Sequence, residues 1–199
     1  MSVQAVSSQL LQVSGTNTTL FVFCLSGFPV SDNALQMQPI PLDRSITTGQ
    51  PTSTPAPARV HPSYYGAIFI SEAIGTAGTT SIAEIATNNA AIVAYAIYDG
   101  SNLARVVLIN SQSYTSTSTG ARPSVKVQLL FTAANGVPTS ASVKRLKIER
   151  ADDTEGLTWG GVSYETASGL PAGTVMTETV DPVEGFLLAA TEAVLLKFT

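Results

Sequence analysis

Asp99-Gly100 separates two apolar runs, residues 91–98 and 103–110, and that arrangement commits the middle of the chain to a β-hairpin. A tight two-residue turn holds both of its residues at positive φ, which Asp tolerates and Gly favours. The flanking strands are apolar on both sides. Residues 91–98 read Ala-Ile-Val-Ala-Tyr-Ala-Ile-Tyr and residues 106–109 read Val-Val-Leu-Ile. A strand with one wet face alternates apolar and polar side chains, as Val125-Lys126-Val127-Gln128-Leu129 does. Both faces of the hairpin therefore need cover. A helix expected over 62–74 supplies some of it. The rest is expected from a missing or intermolecular surface, with self-association through an uncovered sheet as one route.

Further short strands are predicted at 81–86, 124–132, 143–149, 162–165, 175–180, 186–190 and 193–198, with a turn at Asn135-Gly136. Pro62 opens the helix, at the one helical position where its missing N–H costs nothing. Tyr65, Phe69 and Ala73 form its apolar stripe with Tyr64 and Ile68 beside it, and Gly75 is the stop. Upstream, Pro39, Pro41, Pro51, Pro55 and Pro57 mark an extended connector without regular structure, and residues 1–38 hold one β-like run, 19–25. The expected fold is mainly β: an antiparallel β-sandwich of about eight strands, preceded by one short helix and an irregular Pro-rich N-terminal arm. The expected organisation is an arm and connector over 1–60, a helix and linker over 61–78, and the sandwich over 79–199.

Charged residues are 12% of the 199, against 44% apolar, with a formal net charge of −4. Disorder goes with the opposite balance. With no basic block and no basic–aromatic stripe, no nucleic-acid partner is expected. The apolar run at 20–25 is too short to span a membrane, and no Lys or Arg precedes it as in a signal peptide, so no membrane partner is expected. The single cysteine, Cys24, has no second thiol for a disulfide or a zinc knuckle, and the single histidine, His61, precludes a His-rich metal site. No cofactor is expected, since neither a P-loop nor a dinucleotide fingerprint is present.

Catalysis finds little to stand on. Asp152, Asp153 and Glu155 cluster in one inter-strand loop ahead of Trp159. A glycosidase needs two carboxylates held on opposite sides of a sugar by rigid elements, so a solvated loop or a calcium-type ion site fits these three acids better. No Gly-x-Ser-x-Gly elbow exists, and a Ser/His/Asp set would depend on His61, which sits at a helix entrance where capping or packing is its natural role. Trp159, beside Gly160 and Gly161, is a candidate for stacking on a sugar ring, with Tyr164 and Tyr114 as weaker candidates. Against that stands a tryptophan in the core or at an interface. A free-standing carbohydrate-binding module is thus one reading of the chain.

Several segments, in order and spacing, resemble glycoside hydrolase family 79, which includes β-glucuronidases and heparanase-like enzymes, and within it the fungal β-glucuronidase branch. They are Leu42-Asp43-Arg44-Ser45-Ile46-Thr47, Val60-His61-Pro62-Ser63-Tyr64-Tyr65-Gly66, Ala94-Tyr95-Ala96-Ile97-Tyr98 and Val107-Leu108-Ile109-Asn110. Arg122-Pro123-Ser124, Val143-Lys144-Arg145-Leu146, Leu157-Thr158-Trp159-Gly160-Gly161 and Glu192-Ala193-Val194-Leu195-Leu196 continue the series. The resemblance implies a C-terminal β-sandwich that packs against a catalytic (β/α)8 barrel, with the helix near Tyr64 corresponding to the last barrel helix. It further implies that the catalytic glutamates belong to barrel strands upstream of the matching segments. No glutamate here occupies a matching position, and residues 1–36 do not follow the family pattern. A non-catalytic accessory domain, with a glycosidase barrel or a glycan as partner, is the function the resemblance implies.

Overall fold

The computed structural model describes residues 62–198, apart from 133–135 and 167–168, and before them the backbone of six short strands. These are β1 (Gln9–Gln12), β2 (Thr19–Val22), β3 (Met37–Gln38), β4 (Leu42–Arg44), β5 (Pro51–Ala56) and β6 (Arg59–Val60). They form three antiparallel pairs: β1 with β2, β3 with β6, and β4 with β5. The connector expected to lack regular structure is therefore partly paired. Proline is tolerated where a strand has a free edge, and β5, with Pro51 and Pro55, has β4 as its partner on one side only. Cys24, His61 and Asn135 lie outside the described residues.

The helix α1 spans Pro62–Ile74. Tyr65, Phe69, Ile70 and Ala73 are buried along its inner side, and Ala67 and Ser71 are exposed on the outer side. Gly75 ends it at φ 68°, its N–H donating to the Ser71 carbonyl at 3.0 Å. A residue in that left-handed conformation is normally glycine.

Nine strands follow: β7 (Thr80–Ile85), β8 (Ile92–Asp99), β9 (Asn102–Asn110), β10 (Ser124–Val127), β11 (Ala141–Lys147), β12 (Thr158–Trp159), β13 (Glu178–Val180), β14 (Phe186–Ala189) and β15 (Glu192–Phe198). Seven build one antiparallel sheet in the order β12-β11-β15-β9-β8-β7, with β13 pairing β11 as well. The other two, β10 and β14, pair with each other as a second, smaller sheet. The fold is mainly β, two antiparallel sheets consistent with a sandwich, with one helix.

Strand alternation divides the large sheet between two cores. Tyr95, Ile97, Val107, Ile109, Leu146 and Leu195 meet α1 and Trp159 on one side. Ile92, Ala94, Val106, Leu108, Val143 and Val194 meet Phe186 and Leu188 of β14 on the other. The doubly apolar hairpin is thus the middle layer of three. Most of its cover comes from within the chain: α1 closes one side and β10–β14 close much of the other, while Ala96, Tyr98 and Leu103 still line an open groove. Three predicted strands are also corrected. Residues 124–132 are a strand only over Ser124–Val127, 162–165 make only isolated bridges, and 175–180 shortens to Glu178–Val180. Gly160 and Gly161, at φ 54° and 78°, fold the chain back so that Trp159 bridges Val162 within a tight turn.

Candidate functional site

The most elaborate polar arrangement joins α1 to the large sheet. Glu72 lies one turn beyond Phe69, on a helix side that reaches the sheet. Its Oε2 accepts hydrogen bonds from Lys144 Nζ and from Trp159 Nε1, each at 2.8 Å, and its Oε1 accepts one from Lys197 Nζ at 2.8 Å. The two lysines come from neighbouring strands, β11 and β15, at positions sharing the face of Leu146 and Leu195. Burial pushes the Glu72 carboxyl up, but the donors Lys144, Lys197 and Trp159, with the Lys144 charge, outweigh it and hold the group at about 2. Such a carboxylate is ionised throughout the neutral range and is saturated with donors. It is therefore a poor proton donor and a poor nucleophile.

Trp159 completes this junction. It is 1% exposed, packs edge-to-face on Phe69 with centroids 4.8 Å apart, and carries the Lys144 ammonium 4.7 Å from its own ring centroid. The glycine after it is required: a Cβ at Gly160 would meet the Lys144 stem at 2.6 Å. Trp159 therefore presents no ring face to a sugar. Tyr164 sits edge-on to Tyr64 and Tyr65, both at 5.5 Å, and its N–H donates to the Tyr65 hydroxyl at 2.7 Å. Burial raises the Tyr65 phenol, against the hydrogen bonds with Ser163 and Tyr164. Tyr114 stands apart, its hydroxyl donating to the Gly120 carbonyl at 3.2 Å and its own carbonyl accepting from the Ala151 N–H at 2.7 Å. The three aromatics proposed as a stacking platform go to two separate places, two of them in the helix-side core.

Two of the three loop acids are held by hydrogen bonds, Asp152 by the separate loop that follows β9 and Asp153 within its own loop. Asp152 accepts from the Ser116 hydroxyl and N–H, and these bonds, the hydroxyl first, lower its pKa. Asp153 accepts from the Arg150 N–H at 2.8 Å. Among the described residues no group of three or more His, Cys, Asp or Glu could hold a metal ion, and no helix is long and apolar enough to cross a membrane.

A second ion-pair cluster occupies the opposite face. Arg145 donates to Glu192 Oε2 and to the Leu187 carbonyl, at 3.0 and 3.1 Å, pairs also with Glu178, and lies 5.9 Å from the Phe186 ring centroid. Glu192, 4% exposed, also accepts the Ala189 N–H at 2.9 Å. Because Lys144 and Arg145 are consecutive on one strand, Glu72 and Glu192 sit on opposite sides of the sheet. They cannot flank one glycosidic bond.

Sequence reasoning missed Glu72, Lys144 and Lys197 as a set. The available signal was a carboxylate three residues after Phe69 on an otherwise apolar helix, opposite lysines that interrupt apolar positions of two strands.

Residues 94–195 match the family described as the glycosyl hydrolase family 79 C-terminal beta domain. A β-glucuronidase of Neurospora crassa is 39% identical over 88 residues, covering 36% of this chain and 16% of the relative. The crystal structure of a 4-O-α-L-rhamnosyl-β-D-glucuronidase from Fusarium oxysporum 12S, in complex with Rha-GlcA, superposes with a TM-score of 0.57 at 28% identity, covering 70% of this chain and 30% of that one. The chain thus corresponds to a minor part of the length of each.

Proposed function

The chain belongs to glycosyl hydrolase family 79 through its C-terminal beta domain, and on that premise we propose that it is a non-catalytic accessory domain that packs against a glucuronidase catalytic barrel and stabilises it. The parent reaction in this reading is hydrolysis of a β-linked uronic acid from a glycan, the activity class that both relatives carry in their names. In this reading residues 61–78 are the last barrel-type helix and its linker, and 79–199 the sandwich.

One observation carries the proposal: α1 is bound into the sandwich by an apolar stripe and by Glu72 with three donors from β11, β15 and Trp159. A polypeptide entering at Pro62 is then held to the sheet by a rigid helix instead of a flexible tether. The outer side of that helix, with Ala67 and Ser71 exposed, is left for the catalytic module.

The test is thermal inactivation of the Neurospora β-glucuronidase expressed without the region that aligns with this chain. Adding excess purified chain is expected to lengthen the activity half-life by about fivefold, as for any partner that binds only the folded state. An unchanged half-life at every chain concentration would contradict the proposal.

A further inference from the structure

β7 ends the large sheet: among the described strands it pairs with β8 and with nothing on its other side. The backbone polarity of that edge follows from one bond. The Gly100 N–H donates to the Thr79 carbonyl at 3.2 Å, which makes these two a hydrogen-bonded pair of the ladder that continues as Thr80 opposite Asp99. Bonded pairs recur at every second residue of an antiparallel ladder. Ser81, Ala83 and Ile85 therefore direct their backbone groups to β8, and Thr80, Ile82 and Glu84 turn theirs outward. Free edges are commonly guarded by lysine, proline or a bulge. β7 has none of these: it reads Thr-Ser-Ile-Ala-Glu-Ile, and its register with β8 is unbroken.

The side chains give this edge a symmetry. Thr80, Ile82 and Glu84 share the helix side of the sheet, where Ile82 packs against the core of Tyr65 and Phe69. Beside Ile82, a notch of about 20 Å³ between α1 and the sheet is lined by apolar and aromatic side chains alone, and Ile74 and Ile82 in its wall are only partly buried. Two copies joined edge to edge about a two-fold axis perpendicular to the sheet keep their helix sides together. With the axis at Ile82, the outward groups of Thr80, Ile82 and Glu84 meet those of Glu84, Ile82 and Thr80, and each facing pair exchanges two backbone hydrogen bonds. Ile82 then meets Ile82 next to both notches, adding apolar cover where each core lacks it. Glu84, the only charged residue of β7, meets Thr80 and not a second carboxylate. An axis at Ala83 would oppose backbone groups already bonded to β8, and one at Glu84 would oppose two like charges.

We propose that β7 is a self-complementary edge through which a second copy of this chain binds, forming a two-fold dimer centred on Ile82 with the large sheet running through both copies. One strand from each copy makes a small interface, in the size range of weak association, so a dissociation constant on the order of 100 µM is expected. The inference stands on the β7 edge alone and is independent of the accessory role.

Analytical ultracentrifugation and amide exchange of the full chain test it together. Between ~10 µM and ~1 mM protein, the weight-average mass is expected to rise from near 20.7 kDa toward about twice that value. Over the same range, exchange of the Ile82 amide should slow by about fourfold, while the Ala83 amide, already bonded to β8, is unchanged. Ile82→Lys sets lysine against lysine at the axis and should leave the protein monomeric at ~1 mM. Ile82→Pro, whose lost N–H faces away from β8, is the second variant should the lysine variant not fold, with the same expected result. Three results would overturn the proposal: a mass that stays at 20.7 kDa up to the highest concentration, association that leaves the Ile82 amide unchanged, or association that persists in a folded Ile82 variant.

Discussion

Replacing Trp159 with alanine is expected to lower the unfolding free energy by about 4 kcal/mol, within the range for deleting a fully buried large aromatic. Three losses coincide at this position. The indole leaves a void beside Phe69, in a core where Tyr65 and Phe69 are both 0% exposed. Lys144 loses the ring over which its ammonium sits. Glu72 loses its N–H donor from the indole. Trp159→Phe separates them, because it fills most of the volume and removes only the donor and part of the ring surface. It should cost about half as much. Trp159 is the only tryptophan of the chain, so the wild-type denaturant curve is read from its own fluorescence, and backbone circular dichroism compares all three proteins. A loss below about 1 kcal/mol for the alanine variant, the range of an ordinary surface change, would contradict the junction described for this residue.

Glu72→Gln is expected to cost about 2 kcal/mol at neutral pH. A carboxyl held at about 2 instead of the ordinary 4.5 corresponds to roughly 3 kcal/mol, at about 1.4 kcal/mol for each tenfold change in acidity. Lys197, 45% exposed, is partly screened by solvent and lowers that value. The pH dependence identifies the group. Because the folded-state pKa is depressed, the folded protein holds fewer protons than the unfolded chain between the two values. The contribution is therefore fully present above about 4.5 and is lost as pH falls toward about 2. Wild type should lose this stability across that window, and Glu72→Gln, with nothing to titrate there, should show a correspondingly flatter profile. Parallel profiles for the two proteins would remove Glu72 from the account.

The hairpin β8–β9 was readable from Asp99-Gly100 between two runs apolar on both sides, although the turn itself is Gly100-Ser101: Asp99 pairs with Asn102 in the ladder, and Gly100 alone takes the positive φ, 65°. Helix α1 was readable from Pro62 at its start and Gly75 at its end. What covers the hairpin was not, since a doubly apolar strand states that it is buried on both faces without saying by what. The second face is closed by β14, whose alternation places Phe186 and Leu188 inward and leaves Leu187 59% exposed. The segment after Trp159 misled because Val162 and Val175 are β-formers, yet Gly160 and Gly161 turn the chain there. The stretch from Leu170 to Met176 then runs exposed, with Val175 62% and Met176 65% open to solvent. The Glu72 junction was hidden for a different reason. Its partners are 72, 87 and 125 residues away, and local pattern carries no information about which lysine meets which carboxylate. The same distance explains why Trp159 read as a sugar-stacking candidate: its position beside two glycines suggests exposure until α1 is placed over it.

The accessory role proposed above makes this chain a structural domain, with Glu72 and Glu192 committed to holding the two sides of its sheet. The most direct measurement is release of 4-nitrophenol from its β-D-glucuronide by the purified chain, assayed across the fractions of a size-exclusion column. No release above the blank is expected in the fractions that contain the protein. Turnover that follows the peak of a 20.7 kDa monomer would contradict it, because a working pair of carboxylates would then have to exist in this chain.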